Sequence, residues 1–179
     1  MIAWLSDNQN YDITSYILLK QYSSGVNRMT NQDNAAVPSV AINGQYVKDL
    51  SFENPNAPFS LTPPKSAPKI EVSLNLEAKA LQENNYEVTL HINVKANADE
   101  NSMFMVELAY AGLFTLVNIP DAEKEMVLLI HCPSLLFPFA RRVLSDATRD
   151  GGFQPLMLEP IDFAALYQQR KTEESAKPN

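Results

Sequence analysis

The chain predicts an α+β fold: a four-stranded antiparallel sheet with helices packed on one face. Three observations carry this reading. Between residues 46 and 116, apolar residues recur at alternate positions in four stretches, the period of strands with one buried face. The connections Gln82 to Asn85 and Asn97 to Asn101 are too short for a crossover, so the strands they join are antiparallel. After Pro120 the alternation ends, and apolar residues gather in runs such as MVLLI, as in a helix buried on several sides.

Composition narrows the class. The chain has 179 residues, 45% apolar and 20% charged, enough for one domain with its own core. A net charge of −7 argues against nucleic acid as the main partner, because phosphate backbones need a basic surface. The single cysteine, Cys132, has no intramolecular partner, which fits a reducing compartment. No apolar run reaches the length that spans a bilayer, so direct membrane insertion is not expected.

Residues 1–28 resemble a signal peptide only superficially, because a basic n-region is lacking and Asp7 and Asp12 interrupt the apolar residues. Residues 29–45 are polar and aperiodic, and read as a flexible arm. In the first strand Tyr46, Leu50 and Phe52 face one way, with Lys48 an exception, while Asp49, Ser51 and Glu53 face the other. Residues 54–69 contain five prolines and form a loop draped over the fold. Ile70, Val72, Leu74 and Leu76 mark the second strand, and Tyr86, Val88, Leu90, Ile92 and Val94 the third. Phe104, Val106, Leu108 and Tyr110 mark the fourth, which continues to Leu116 past a bulge at Gly112.

Asp121 then caps a helix. Met126 to Ile130 make that helix apolar on nearly every side, which one sheet cannot cover alone, so the chain is expected to self-associate. Cys132-Pro133 stops the helix, Pro138 opens another, and Gly151-Gly152 ends that one. The extended run FQPLMLEP follows, then a last helix capped by Asp162. The tail from residue 172 is polar and reads as disordered.

Catalytic patterns fail. His131 and Cys132 are adjacent on a helix and diverge by about 100°, so they do not form a nucleophile–base pair. Two histidines and one cysteine supply no zinc set, and phosphate-cradling glycine loops are missing. No enzyme activity and no cofactor are expected.

Two long blocks carry a resemblance. CPSLLFPFAR, GGFQP and L-x-P-I-D-F-x-A-L-Y stand in order from Cys132 to Tyr167, and YVKDLSFENPNAP spans 46–58. In these blocks the chain resembles the SecB family of bacterial protein-export chaperones, over residues 46–171. The resemblance implies a cytoplasmic, ATP-independent holdase that binds unfolded preproteins and delivers them to the motor SecA. It also implies a homotetramer, a dimer of dimers, with the helix from Asp121 to Cys132 at the interface. The motor-contacting positions fall on Asp49, Glu53, Met105 and Glu107. The client groove falls between the sheet, the proline-rich loop, the later helix and the extended strap FQPLMLEP, with Phe52, Phe59, Leu61, Tyr86, Phe137 and Phe153 as candidates. The family often carries a tryptophan in that loop, whereas the only one here is Trp4. Ala111-Gly112 stands at a frequent Gly-Gly pair, which places an unusual backbone angle at Gly112. Met29 opens a polar segment like those that begin family members, and is expected to be the natural start. Glu173 and Glu174 keep some of the family's acidic tail, a secondary motor contact. A SecB-like chaperone dedicated to one client, such as an antitoxin, is the alternative.

Overall fold

In the structure, a computed structural model that describes residues 37–99 and 101–176, the alternating stretches form one antiparallel sheet. Its strands are β1 (Ser39–Glu53), β2 (Lys69–Ala80), β3 (Asn85–Ala98) and β4 (Asn101–Val117), in spatial order β1-β4-β3-β2. The strands β2–β3 and β3–β4 pair as sequence neighbours, whereas β1 pairs with β4. The proline-rich connection must therefore cross from one edge of the sheet to the other, about 14 Å at roughly 4.8 Å per strand. It crosses at the end where the β3–β4 hairpin turns. The expectations for residues 1–28 and for Met29 lie outside the described residues.

Register sorts the side chains into two faces. Val94 pairs with Val106, Ile92 with Leu108 and Leu90 with Tyr110, and all six are buried. Two corrections concern β1. It begins at Ser39, inside the segment read as an arm. Its register also slips between Ile42 and Gly44 and between Val47 and Asp49, so Asn43 and Lys48 are bulged residues. The second bulge reverses the alternation. Leu50 and Phe52 share the inner face with Leu108 and Val106, but Tyr46 pairs with Ala111 and turns outward. There its hydroxyl and the Lys48 ammonium (2.7 Å) both donate to the Glu87 carboxylate.

The bulge expected at Gly112 is absent, because its pairing with Val88 and Gln45 is regular, and its φ is not left-handed. The glycine serves close approach instead. A Cβ there would lie 2.6 Å from Leu136 Cδ2 and 2.8 Å from Phe114 Cε2.

Helix α1 runs unbroken over Asp121–Asp150, correcting the expected stop at Cys132-Pro133 and restart at Pro138. It is α-helical over Asp121–Met126, π-helical over Val127–His131 and α-helical over Cys132–Asp150. Pro133 has no N–H for the carbonyl four residues back, and its ring crowds that carbonyl. The widened turn immediately before it relieves the conflict, and the Ser134 hydroxyl donates to the Ile130 carbonyl at 2.6 Å. Burial outweighs what remains. Leu128, Cys132, Leu136, Ala140, Leu144 and Thr148 form a buried stripe at four-residue spacing against the sheet. Each buried leucine contributes about 1.5–3 kcal/mol, against about 3 kcal/mol for an interior proline. The length and composition of α1 would also suit a membrane span, but this stripe is the core of the domain. At its start, Asp121 does not cap. It is the first helical residue, and it pairs with Lys124 at 2.7 Å.

The run after Gly152 is extended, and α2 (Phe163–Ala176) closes the chain. Asp162 caps it as expected, its Oδ1 accepting from the Ala165 N–H at 3.0 Å. The helix continues past residue 172, because the segment read as a tail holds good helix formers. The Gln169 amide donates to Glu173 one turn on, at 3.0 Å.

Candidate functional site

Two surfaces collect the predicted residues. The first begins at Phe52. Its ring stacks on Phe104 at 5.9 Å, and Phe153 lies 4.8 Å from Phe104 and 6.3 Å from Phe52. β1, β4 and the strap each contribute one ring. The glycine pair at the end of α1 makes room for them. A Cβ on Gly151 would overlap the Phe52 ring at 2.1 Å, and Gly152, at φ +88°, has Leu61 3.0 Å from its Cβ position. Against these rings opens a cavity of about 720 Å³, lined among others by Leu61, Pro63, Ile70, Met103, Phe153 and Met157. The size and the apolar lining suit several side chains without reading a sequence.

The strap is fastened by groups that sequence reading missed. Buried Thr148 accepts from the Leu156 N–H at 2.9 Å and donates to the Leu144 carbonyl at 3.0 Å. Arg141 donates to the Leu158 carbonyl at 3.2 Å. A lone threonine on an apolar helix stripe was the available signal.

Of the groove candidates, the structure brings Phe52, Leu61 and Phe153 together. Phe59 is 79% exposed and lines a neighbouring cavity of about 550 Å³ under the loop. Two candidates are corrected. Phe137 is core, 5% exposed and edge-on to Phe163 at 5.9 Å. Tyr86 packs against the core opposite Phe114, at the far end of β3. The apolar pattern alone did not separate groove from core.

The second surface is the outer sheet face. Glu53 pairs directly with Met105, Ser51 with Glu107 and Asp49 with Ala109. Asp49, Glu53 and Glu107 are exposed and Met105 is half-buried, so Glu53 and Glu107 flank one apolar side chain and Asp49 lies further along the same face. On the other side of β4, Lys95 pairs with Met105 and Asn93 with Glu107. Lys95 therefore borders the patch, a neighbour that only the register reveals.

Cys132 is fully buried, and burial pushes its thiol up to about 12. A thiol held protonated at neutral pH is neither nucleophile nor ligand. Among the described residues, no cluster of three or more His, Cys, Asp or Glu side chains is arranged to hold a metal.

A family profile described as preprotein translocase subunit SecB matches residues 33–174. The chain belongs to the SecB family. It is 52% identical to the protein-export protein SecB of Maricaulis maris, over 82% of this chain and 87% of that one. It is 50% identical to that of Parvibaculum lavamentivorans, over 82% and 90%. Among solved structures it is similar to the SecB-like chaperone of Mycobacterium tuberculosis, in complex with an antitoxin peptide. That likeness has a TM-score of 0.58 at 15% identity, over 68% of this chain and 90% of that one, and it speaks for the fold alone. The chain is thus a protein-export chaperone of the bacterial cytoplasm and not an enzyme.

Proposed function

We propose that this SecB family member is an ATP-independent holdase that takes up unfolded preproteins in the aromatic groove and surrenders them to SecA at the outer face. The observation that carries the reading is the Phe52–Phe104–Phe153 cluster opening into a cavity of about 720 Å³. Apolar contact without sequence reading is what an unfolded chain of arbitrary sequence can offer a receptor. The patch of Asp49, Glu53 and Glu107 around Met105 supplies the complementary element: carboxylates steer a basic partner, and the methionine holds it once docked.

A homotetramer, built as a dimer of dimers, fits the exposed side of α1. Off its buried stripe, Met126 is 45% and Phe139 43% exposed, apolar area that a second copy would cover. Sedimentation velocity should give four times the monomer mass, and a monomer at micromolar concentration would contradict this.

The decisive experiment follows refolding of a slow-folding precursor diluted from denaturant, with and without equimolar chaperone tetramer. Arrest that is reversed by SecA with ATP is the expected result. Arrest that SecA does not relieve would favour a chaperone dedicated to a client such as an antitoxin. Unaltered refolding would exclude a holdase.

A further inference from the structure

We propose that Asp99 is a positioning residue that clasps the proline-rich segment 54–68 shut across the groove, and that client uptake requires this clasp to open. The proposal rests on the reading of the groove as the client site. The segment is fastened to the β3–β4 hairpin at two points. At one end the Asn56 side-chain amide donates to the Ser102 carbonyl at 2.8 Å. At the other, the Asp99 carboxylate accepts twice, from the Lys65 N–H at 2.8 Å and from the Ser66 hydroxyl at 2.7 Å. Asp99 holds φ 50° in the turn, and the Asn101 amide donates back to its carbonyl at 3.0 Å. Hydrogen bonds to a charged acceptor are stronger than neutral ones. The donated Lys65 N–H and Ser66 hydroxyl hold the Asp99 carboxyl below its usual range, so the acceptor is charged at neutral pH.

What lies between the fastenings makes them consequential. Ser60, Thr62, Pro63 and Pro64 line both the cavity of about 720 Å³ and the neighbouring one of about 550 Å³, and Met103 borders both from β4. The segment is a partition. Each compartment takes a few side chains, but a client is a continuous chain, and six extended residues need about 20 Å. With the partition displaced, the two compartments become one groove along the hairpin. Pro63 and Pro64 lack N–H groups and cannot pair as a strand, so the partition gains no ladder bonds there, and the two fastenings together with the Leu61 contact anchor it. One carboxylate accepts both bonds at the second fastening.

If the open form binds the client, its apparent affinity is reduced by the open fraction, and loosening the clasp tightens binding. The test uses the full chain and a fluorescein-labelled 15-residue peptide of alternating aliphatic and aromatic residues, read by anisotropy. Opening is read separately as the rate of trypsin cleavage at Lys65–Ser66. Asp99→Gly removes the acceptor and still accommodates positive φ. Asp99→Asn also tolerates that conformation and retains one acceptor oxygen. Ser66→Ala removes one bond without touching the hairpin. Asp99→Gly should lower the peptide Kd by about three- to tenfold, with cleavage accelerated by a similar factor. Asp99→Asn and Ser66→Ala should shift both readouts less, in the same direction. Cleavage unchanged in all three variants overturns the clasp. Faster cleavage with equal or weaker peptide affinity overturns the gate. A wild type that does not bind the peptide at all removes the groove reading, and the gate with it, an outcome distinct from both.

Discussion

On the inner face of the sheet Val88, Leu90, Ile92 and Val106 are wholly buried. One position along the same strands, Asn93, Lys95 and Glu107 stand in solvent. Both faces share one backbone and one register, so the difference lies entirely in what covers them. The inner face is committed to α1, and its side chains are interchangeable only at constant volume. On the outer face Asp49, Glu53 and Glu107 are exposed, and on the proposed reading they serve a partner. Stability rests on the covered inner face, and the proposed SecA contact lies on the outer one.

That division can be broken, and the largest effect should come from the inner face. Phe114 is fully buried, and Phe114→Ala should cost about 3–5 kcal/mol in urea denaturation at fixed protein concentration. A loss below 1 kcal/mol would mean that the covered face is not where stability resides. Gly112→Ala comes next. The added methyl meets Leu136 Cδ2 at 2.6 Å, an overpacking worth about 1–3 kcal/mol. Combining it with Leu136→Ala should destabilise by less than the sum of the two single changes, because the truncation removes one clashing atom. Strict additivity would place the clash elsewhere.

The outer face sharpens the contrast. Asp49→Ala with Glu107→Ala should leave stability within about 0.5 kcal/mol, yet weaken SecA binding by about tenfold or more with a steep salt dependence. Client binding should not change. SecA affinity equal to wild type would remove the patch from the hand-off. The smallest effect concerns Glu87, whose carboxyl is held below its usual range by hydrogen bonds from Lys48 and then Tyr46. A carboxyl lowered in the folded state stabilises above its unfolded value, and the contribution fades as pH falls through the folded value. Glu87→Gln should therefore lower Tm by at most about 3 °C at pH 7. The gap to wild type should close toward pH 3, and a gap that persisted there would point to packing rather than charge.

The legibility of the chain follows the same division. β2, β3 and β4 were readable because unbroken alternation and short turns are local signals. β1 was only half readable. A bulge at Lys48 reverses the pattern, so Tyr46 faces outward although its spacing from Leu50 and Phe52 placed it inward. Pro133 and Pro138 read as helix punctuation, since local sterics is all that a sequence displays. The buried stripe from Leu128 to Thr148 outweighs them. One register holds Asp49, Glu53, Met105 and Glu107 on one face, as their alternation in the sequence implied. The aromatic candidates for the groove divide. Phe137 and Phe153 look alike in sequence, and only packing makes the first core and the second a groove wall. Asp99 gave no signal, because its partners Lys65 and Ser66 are more than thirty residues away.

By itself the sequence determined the α+β class, the antiparallel pairing of β2, β3 and β4, the cap at Asp162 and the family. Each of these is written in short-range periodicity, a capping side chain or long matched blocks of residues. Tertiary structure alone decided that α1 passes two prolines, that Gly112 yields space to Leu136, and that the proline-rich segment crosses the β3–β4 hairpin. Each of those depends on the free energy of groups distant in the chain meeting in space, and a local pattern carries no record of that.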